Sequence, residues 1–207
     1  LQAAGLRTFV ATSGAAARTA LADAVAAAEQ GTTAALLLPT NVQHTEIEAP
    51  AAAPRAVPAP RKPAAPRAQA IAAAAAVLRA SKKPIIVAGR GAHLAGAKEA
   101  IEALAERSGA LLITTAKGKD MFRGHPFNLG ILGSFSHSMA RRMVDQADCA
   151  VVFGAGLNFL TMSFGASLPP VPLIQVDSSR ANIGRYSHAD VAVVGDAKLA
   201  AEGILAA

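Results

Sequence analysis

The chain has 207 residues, 52% of them apolar and 16% charged, with a formal net charge of +6, 4% aromatics and no tryptophan. No apolar stretch approaches the ~20 residues that span a bilayer, so no membrane partner is expected. The single Cys149 excludes an internal disulfide and, with no charged segment ahead of a hydrophobic leader, fits a cytoplasmic setting.

The charge is unevenly spread: residues 1–48 carry two bases against four acids, residues 49–67 four bases and no acid, and residues 68–207 fourteen bases against ten acids. A nucleic-acid binder concentrates bases on one element with aromatics between them. This chain does neither, and no nucleic-acid partner is expected.

Leu6 to Val10 is a short apolar piece, and Gly14 to Gln30 reads as a helix filled with alanine, capped by Ser13 and ended by Gly31. Thr33 to Pro39 reads as a buried strand closed by proline. So few elements cannot bury a core. Residues 1–48 are therefore expected to be the closing part of a domain whose beginning lies outside the chain. From Ala49 to Arg67, prolines at 50, 54, 58, 60, 63 and 66 fix φ and remove donors, which predicts an extended connector between two units.

Beyond the connector the pattern becomes regular. A helix is expected from Ala68 to about Ala80, then a strand Ile85–Gly89, a helix from about Ala97 to Arg107 and a strand Leu111–Thr115. Lys98 and Glu102 stand at i,i+4 on that second helix. A helix Ser136–Gln146 follows, with Met139, Met143 and Val144 on one side, then strands at Ala150–Gly154, Pro172–Asp177 and Val191–Asp196 and a final helix from Asp196 or Ala197. Runs that are apolar on both faces must be covered on both faces. The fold class is therefore α/β, a parallel sheet of about five to six strands with helices on both sides. Such sheets bind ligands in the crevice beyond the carboxyl ends of their strands.

For catalysis the reading is negative. There is no serine or cysteine on a nucleophile elbow, no histidine pair at metal-ligand spacing and no paired carboxylates at the strand ends. Binding is better supported. Gly89-Arg90-Gly91 follows the first strand after the connector, where glycine lets a backbone approach a ligand and exposed amides can hold a phosphate, or else simply makes a tight strand-to-helix turn. Thr115 and Lys117 follow the next strand and could meet a diphosphate or lie in a solvated loop. Gly133 precedes a helix; Gly154, Gly156 and Leu157 end the run at Ala150, at the expected crossover. Asp177 could accept from a ribose hydroxyl or cap its own turn with Ser178 and Ser179, and Asp196 more simply caps the last helix. Together these residues outline a nucleotide crevice on one rim.

The ordered set resembles the central domain of thiamine-diphosphate-dependent enzymes of the acetolactate synthase and 2-oxo acid decarboxylase type. It runs through Lys83-Pro84-Ile85-Ile86-Val87-Ala88-Gly89-Arg90-Gly91-Ala92, Leu104-Ala105-Glu106-Arg107-Ser108-Gly109 and Thr114-Thr115 with Lys117-Gly118-Lys119. It continues with Gly124-His125-Pro126, Asn128-Leu129-Gly130, Ala147-Asp148, Gly154-Ala155-Gly156-Leu157, Ile174-Gln175-Val176-Asp177 and Val194-Gly195-Asp196. The resemblance covers residues 68–207, and residues 14–42 look like the close of that family's pyrimidine-binding domain.

It implies a Rossmann-like, DHS-like NAD/FAD-binding fold and a parent that is a homo-oligomer, a dimer or tetramer, acting on a small 2-oxo acid with thiamine diphosphate and Mg²⁺. The family's activating glutamate and its diphosphate and metal motif lie in regions this chain lacks, so neither group is expected to bind it well. FAD or ADP is possible in the central domain. Acetolactate synthases carry arginine where Gly156 stands, which makes an adenine nucleotide, or no ligand, comparable to FAD. The rival readings are a stand-alone module binding NAD, FAD or ADP, and a spacer that binds nothing.

Overall fold

The computed structural model describes residues 2–47 and 63–207, which fall into two compact units, Leu1–Ala59 and Pro60–Ala207. Most of the expected proline connector, residues 49–62, lies outside the described residues.

In the first unit, strand β1 (Arg7–Val10) pairs in parallel with β2 (Ala34–Leu37), Arg7 opposite Ala34 and Val10 opposite Leu37. The piece read from sequence only as apolar is thus a strand. Helix α1 (Gly14–Glu29) connects the two; its amino end is closed by the Ser13 side chain, which accepts from the Ala16 N–H at 3.2 Å. A one-turn helix α2 (Thr40–Gln43) follows β2. The buried apolar side chains among the described residues of this unit are small: Ala11, Ala24, Ala27 and Val42.

The second unit is a six-stranded, wholly parallel sheet: β3 (Pro84–Ala88), β4 (Leu111–Thr114), β5 (Asn128–Ile131), β6 (Cys149–Phe153), β7 (Leu173–Asp177) and β8 (Val191–Val194). Its spatial order is β5-β4-β3-β6-β7-β8, the doubly wound arrangement in which the chain starts in the middle, runs to one edge, then returns and runs to the other. β5 replaces no apolar run. It contains Asn128 and Gly130 (φ +84°), it pairs with β4 through a register shift between Leu112 and Thr114, and its sequence carries no strand pattern.

Alternate residues feed two cores, as the strand period of two requires. Ile86, Val151, Ile174 and Val193 face helices α3 (Ala68–Ala80), α5 (Lys98–Ser108) and α7 (Ala197–Ala206). Ile85, Val87, Ile113 and Val152 face the other side, with α6 (Ser138–Val144) and the loops that flank it. Cys149 is buried at the start of β6, and burial pushes its thiol up to about 11, so it behaves as a small hydrophobe.

α6 corrects one expectation. It is capped by His137, whose Nδ1 accepts from the Ala140 N–H, and its buried stripe is Ala140 and Val144, while Met139 and Met143 are exposed. A further short helix, α4 (Arg90–Leu94), follows β3 directly. Asp196 caps α7 as expected, accepting from Lys198 and Leu199, and Lys98 and Glu102 approach at 3.9 Å on α5.

Candidate functional site at the switch point

The two strands that start in opposite directions from the middle are β3 and β6, and their ladder continues past their ends. The Gly89 N–H donates to Phe153 O and the Gly91 N–H to Gly154 O, each at 2.9 Å. A Cβ on Gly89 would sit 2.4 Å from Gly154 O, one on Gly91 2.8 Å from Gly154 Cα, and one on Gly154 (φ +58°) 2.4 Å from Ala92 N. These three glycines are spent on each other: they let two loops abut backbone to backbone. On the other flank, the Thr115 N–H donates to Ala88 O and the Leu132 N–H to Thr114 O.

This seam floors a cavity of about 300 Å³ lined by Arg90, Thr115, Lys117, Gly154, Gly156 and Asn158, with Phe135, Leu160 and Thr161 on its outer wall. Five of the residues singled out from sequence therefore meet: Arg90, Thr115, Lys117, Gly154 and Gly156. Gly156 differs from its neighbours, because its Cβ would meet nothing within 4 Å and its φ is not left-handed. The backbone N–H groups of Ala155, Gly156 and Leu157 donate to no acceptor among the described residues, although Ala155 and Leu157 are buried. Buried backbone donors are almost always paired, and successive free amides after a left-handed residue form an anion-binding concavity. Arg90 and Lys117 have no acidic partner among the described residues.

The other candidates lie elsewhere. Leu157 is itself buried in the second core with φ +50°. Gly133 (φ +92°) brings its loop against the carbonyls of Thr161 and Leu160, where a Cβ would be 2.4 and 2.6 Å away. Asp177 makes its own turn, accepting from the Ser179 N–H and Asn182 Nδ2. Sequence reading missed Gln175. It is fully buried, donates through Nε2 to Ala155 O and Asn182 O, and accepts from the Gly184 N–H at 2.9 Å, so it ties the loop after β6 to the loop after β7. The signal was present: one amide in an otherwise apolar strand must have buried partners. The exposed wall residues Phe135, at the end of a single 3₁₀ turn, and Leu160, in a turn, carried none.

Among the described residues no cluster of three or more His, Cys, Asp or Glu is placed to hold a metal, and no helix is long and apolar enough to cross a membrane. Two of the isolated histidines have local roles: His137 caps α6, and His125 Nδ1 accepts from the Phe127 N–H, while its buried Nε2 makes no hydrogen bond and lies 3.6 Å from Glu106.

A doubly wound parallel domain with a glycine seam and a basic crevice at its switch point is the class that this geometry defines. Comparison with known proteins identifies the family: the model for the thiamine pyrophosphate enzyme central domain matches residues 71–204, and the chain belongs to that family. It is 31% identical over 175 residues to the protein of Methanocaldococcus jannaschii named "Probable acetolactate synthase large subunit", covering 82% of this chain and 30% of that protein. It is 36% identical over 137 residues to the sulfoacetaldehyde acetyltransferase of Roseovarius nubinhibens, covering 64% of this chain and 23% of that protein. An X-ray structure from Mycobacterium smegmatis, assigned as a thiamin diphosphate-dependent enzyme, superposes with a TM-score of 0.62 at 22% identity, over 97% of this chain and 39% of that one. That likeness bears on the fold. The chain spans less than a third of the length of either curated relative.

Proposed function

We propose that this chain supplies the central, nucleotide-binding domain of a thiamine-diphosphate-dependent enzyme that acts on 2-oxo acids by carboligation or decarboxylation, and that it contributes no catalytic side chain of its own. In this reading residues 1–48 close the preceding pyrimidine-binding domain, residues 49–67 connect, and residues 68–207 are the central domain of a homo-oligomeric, cytoplasmic parent. The observation that carries the binding role is the pair of amides at Ala155 and Gly156, unpaired among the described residues, lining one crevice with the cations of Arg90 and Lys117. An adenine nucleotide, as ADP or as the adenylate half of FAD, fits this donor set: its diphosphate would take the amides and the two cations. The groups of this chain bind and orient it; none is positioned to move a proton. No cluster of metal-ligating side chains lies among the described residues, and in this reading thiamine diphosphate and Mg²⁺ are held by the other domains of the parent.

The test is a thermal-shift series with ADP, FAD, NAD, coenzyme A, and thiamine diphosphate with Mg²⁺. A ligand at a hundred times its Kd stabilises by about 2.7 kcal/mol. ADP or FAD is expected to raise the Tm, and Arg90→Ala combined with Lys117→Ala to abolish most of the rise. A rise with NAD alone would favour a stand-alone module instead. No rise with any nucleotide would leave the domain as a spacer and sink the binding role.

A further inference from the structure

A second recess, of about 350 Å³, opens behind the crevice between α6 and the loops 132–136 and 163–167. Its lining includes Ser134, Ser136, Ser163, Ser167, Arg141 and Asp145 over an apolar floor of Leu132 and Val144. Two unusual stretches of backbone build it. Gly133 allows its loop to dock on Leu160 and Thr161, and Ser163 and Phe164, neither of them glycine, hold φ of +44° and +57°. Left-handed conformations at such residues persist only where the surroundings enforce them, and they gather at binding sites. Here they bring Ser134 Oγ and Ser163 Oγ to 3.4 Å.

The charges in the recess are unspent. Arg141 on α6 and Asp145 at its carboxyl cap stand one turn apart, yet no ion pair forms between them within 4 Å, and neither side chain has another partner among the described residues. Among the described residues the Ser167 hydroxyl also has no partner, Ser136 Oγ reaches only the His137 carbonyl at 3.5 Å, and Ser134 Oγ donates to Leu160 O at 3.3 Å. A cation and an anion one helical turn apart that do not pair with each other, beside hydroxyls and a small apolar floor, complement a ligand that carries both charges.

We propose that this recess binds a small zwitterion of the α-amino acid class, its carboxylate on Arg141, its ammonium on Asp145, and its side chain toward Leu132 and Val144. The Ser167 hydroxyl, which has no partner among the described residues, donates to the carboxylate. The site adjoins the nucleotide crevice, sharing Leu132 with it, and does not depend on the reading given above.

Three probes of matched size separate the charges: L-alanine, propionate, which lacks the ammonium, and ethylamine, which lacks the carboxylate. Each is titrated into the isotope-labelled chain and followed by amide chemical shifts. Alanine is expected to give saturable shifts at residues 134–136, 141–145 and 163–167, at least tenfold tighter than either of the other two. Arg141→Gln and Asp145→Asn, both at exposed positions, are each expected to weaken alanine at least tenfold while leaving the rest of the spectrum in place. Propionate binding as tightly as alanine would overturn the proposal. So would undiminished binding in both variants, saturable shifts confined to other residues, or no saturable response to any probe.

Discussion

Gly89 and Gly156 lie on the same rim and carry opposite expectations. A methyl group at Gly89 must enter space held by the Gly154 carbonyl, 2.4 Å away, and backbone atoms cannot swing aside as a side chain can. Overpacking of this kind costs about 1–3 kcal/mol or more. At Gly156 a methyl group meets nothing, and the cost should stay within about 0.5 kcal/mol. Urea denaturation of Gly89→Ala and Gly156→Ala checks both; equal midpoints would show that the seam is looser than described. The sequence announced glycines at the strand ends but could not say which of them touch. Arg90, Thr115 and Lys117 were found because each follows directly on a legible strand. Phe135 and Leu160 were not, because a loop residue's neighbours are set by tertiary docking and leave no period in the chain.

At the level of elements, boundaries were legible wherever propensity, pattern and cap agreed. Helix α3 occupies Ala68–Ala80 as its alanine run predicts, and α7 begins after its Asp196 cap. β5 and α4 were missed, the first for want of an apolar run and the second because five residues are too few to show a helical period.

The junction before β3 and β6 illustrates what short polar segments do between such elements. The Asp148 carboxylate accepts from the Ser81 hydroxyl and from the N–H groups of Lys82 and Lys83 at 2.8 and 2.9 Å, tying the entry of β3 to that of β6. Burial alone would raise its pKa, but these hydrogen bonds prevail and hold it below the ordinary 3.8. The folded state therefore prefers the ionised form. That stabilisation is complete above pH 3.8 and declines as the pH falls through the lower, folded value. The urea midpoint of the native chain is expected to exceed that of Asp148→Asn at pH 7, with the gap narrowing below pH 3.8. A gap that stays constant to pH 3 would argue against a charged tie.

For the molecule as a whole, the two units differ in what they can hold together. The first has a two-stranded sheet over small buried side chains, and two strands alone are marginal in water. The second has six strands with a core on each face. Hydrogen exchange should therefore release the amides of β1, α1 and β2 at a much lower opening energy than those of β3, β6 and β7. Uniform protection across both units would contradict this. The parallel α/β architecture was readable from the spacing of five apolar runs. The place of each strand in the sheet was not, since doubly wound order depends on which side each crossover takes.

The contact between Gly89, Gly91 and Gly154 also bears on how such a domain can change over generations. When two side chains clash, a smaller neighbour can restore the fit; here the obstacle on each side is main chain, which no mutation can shrink. The three positions are locked together, and novelty at this rim must come from Gly156 and the loops around it.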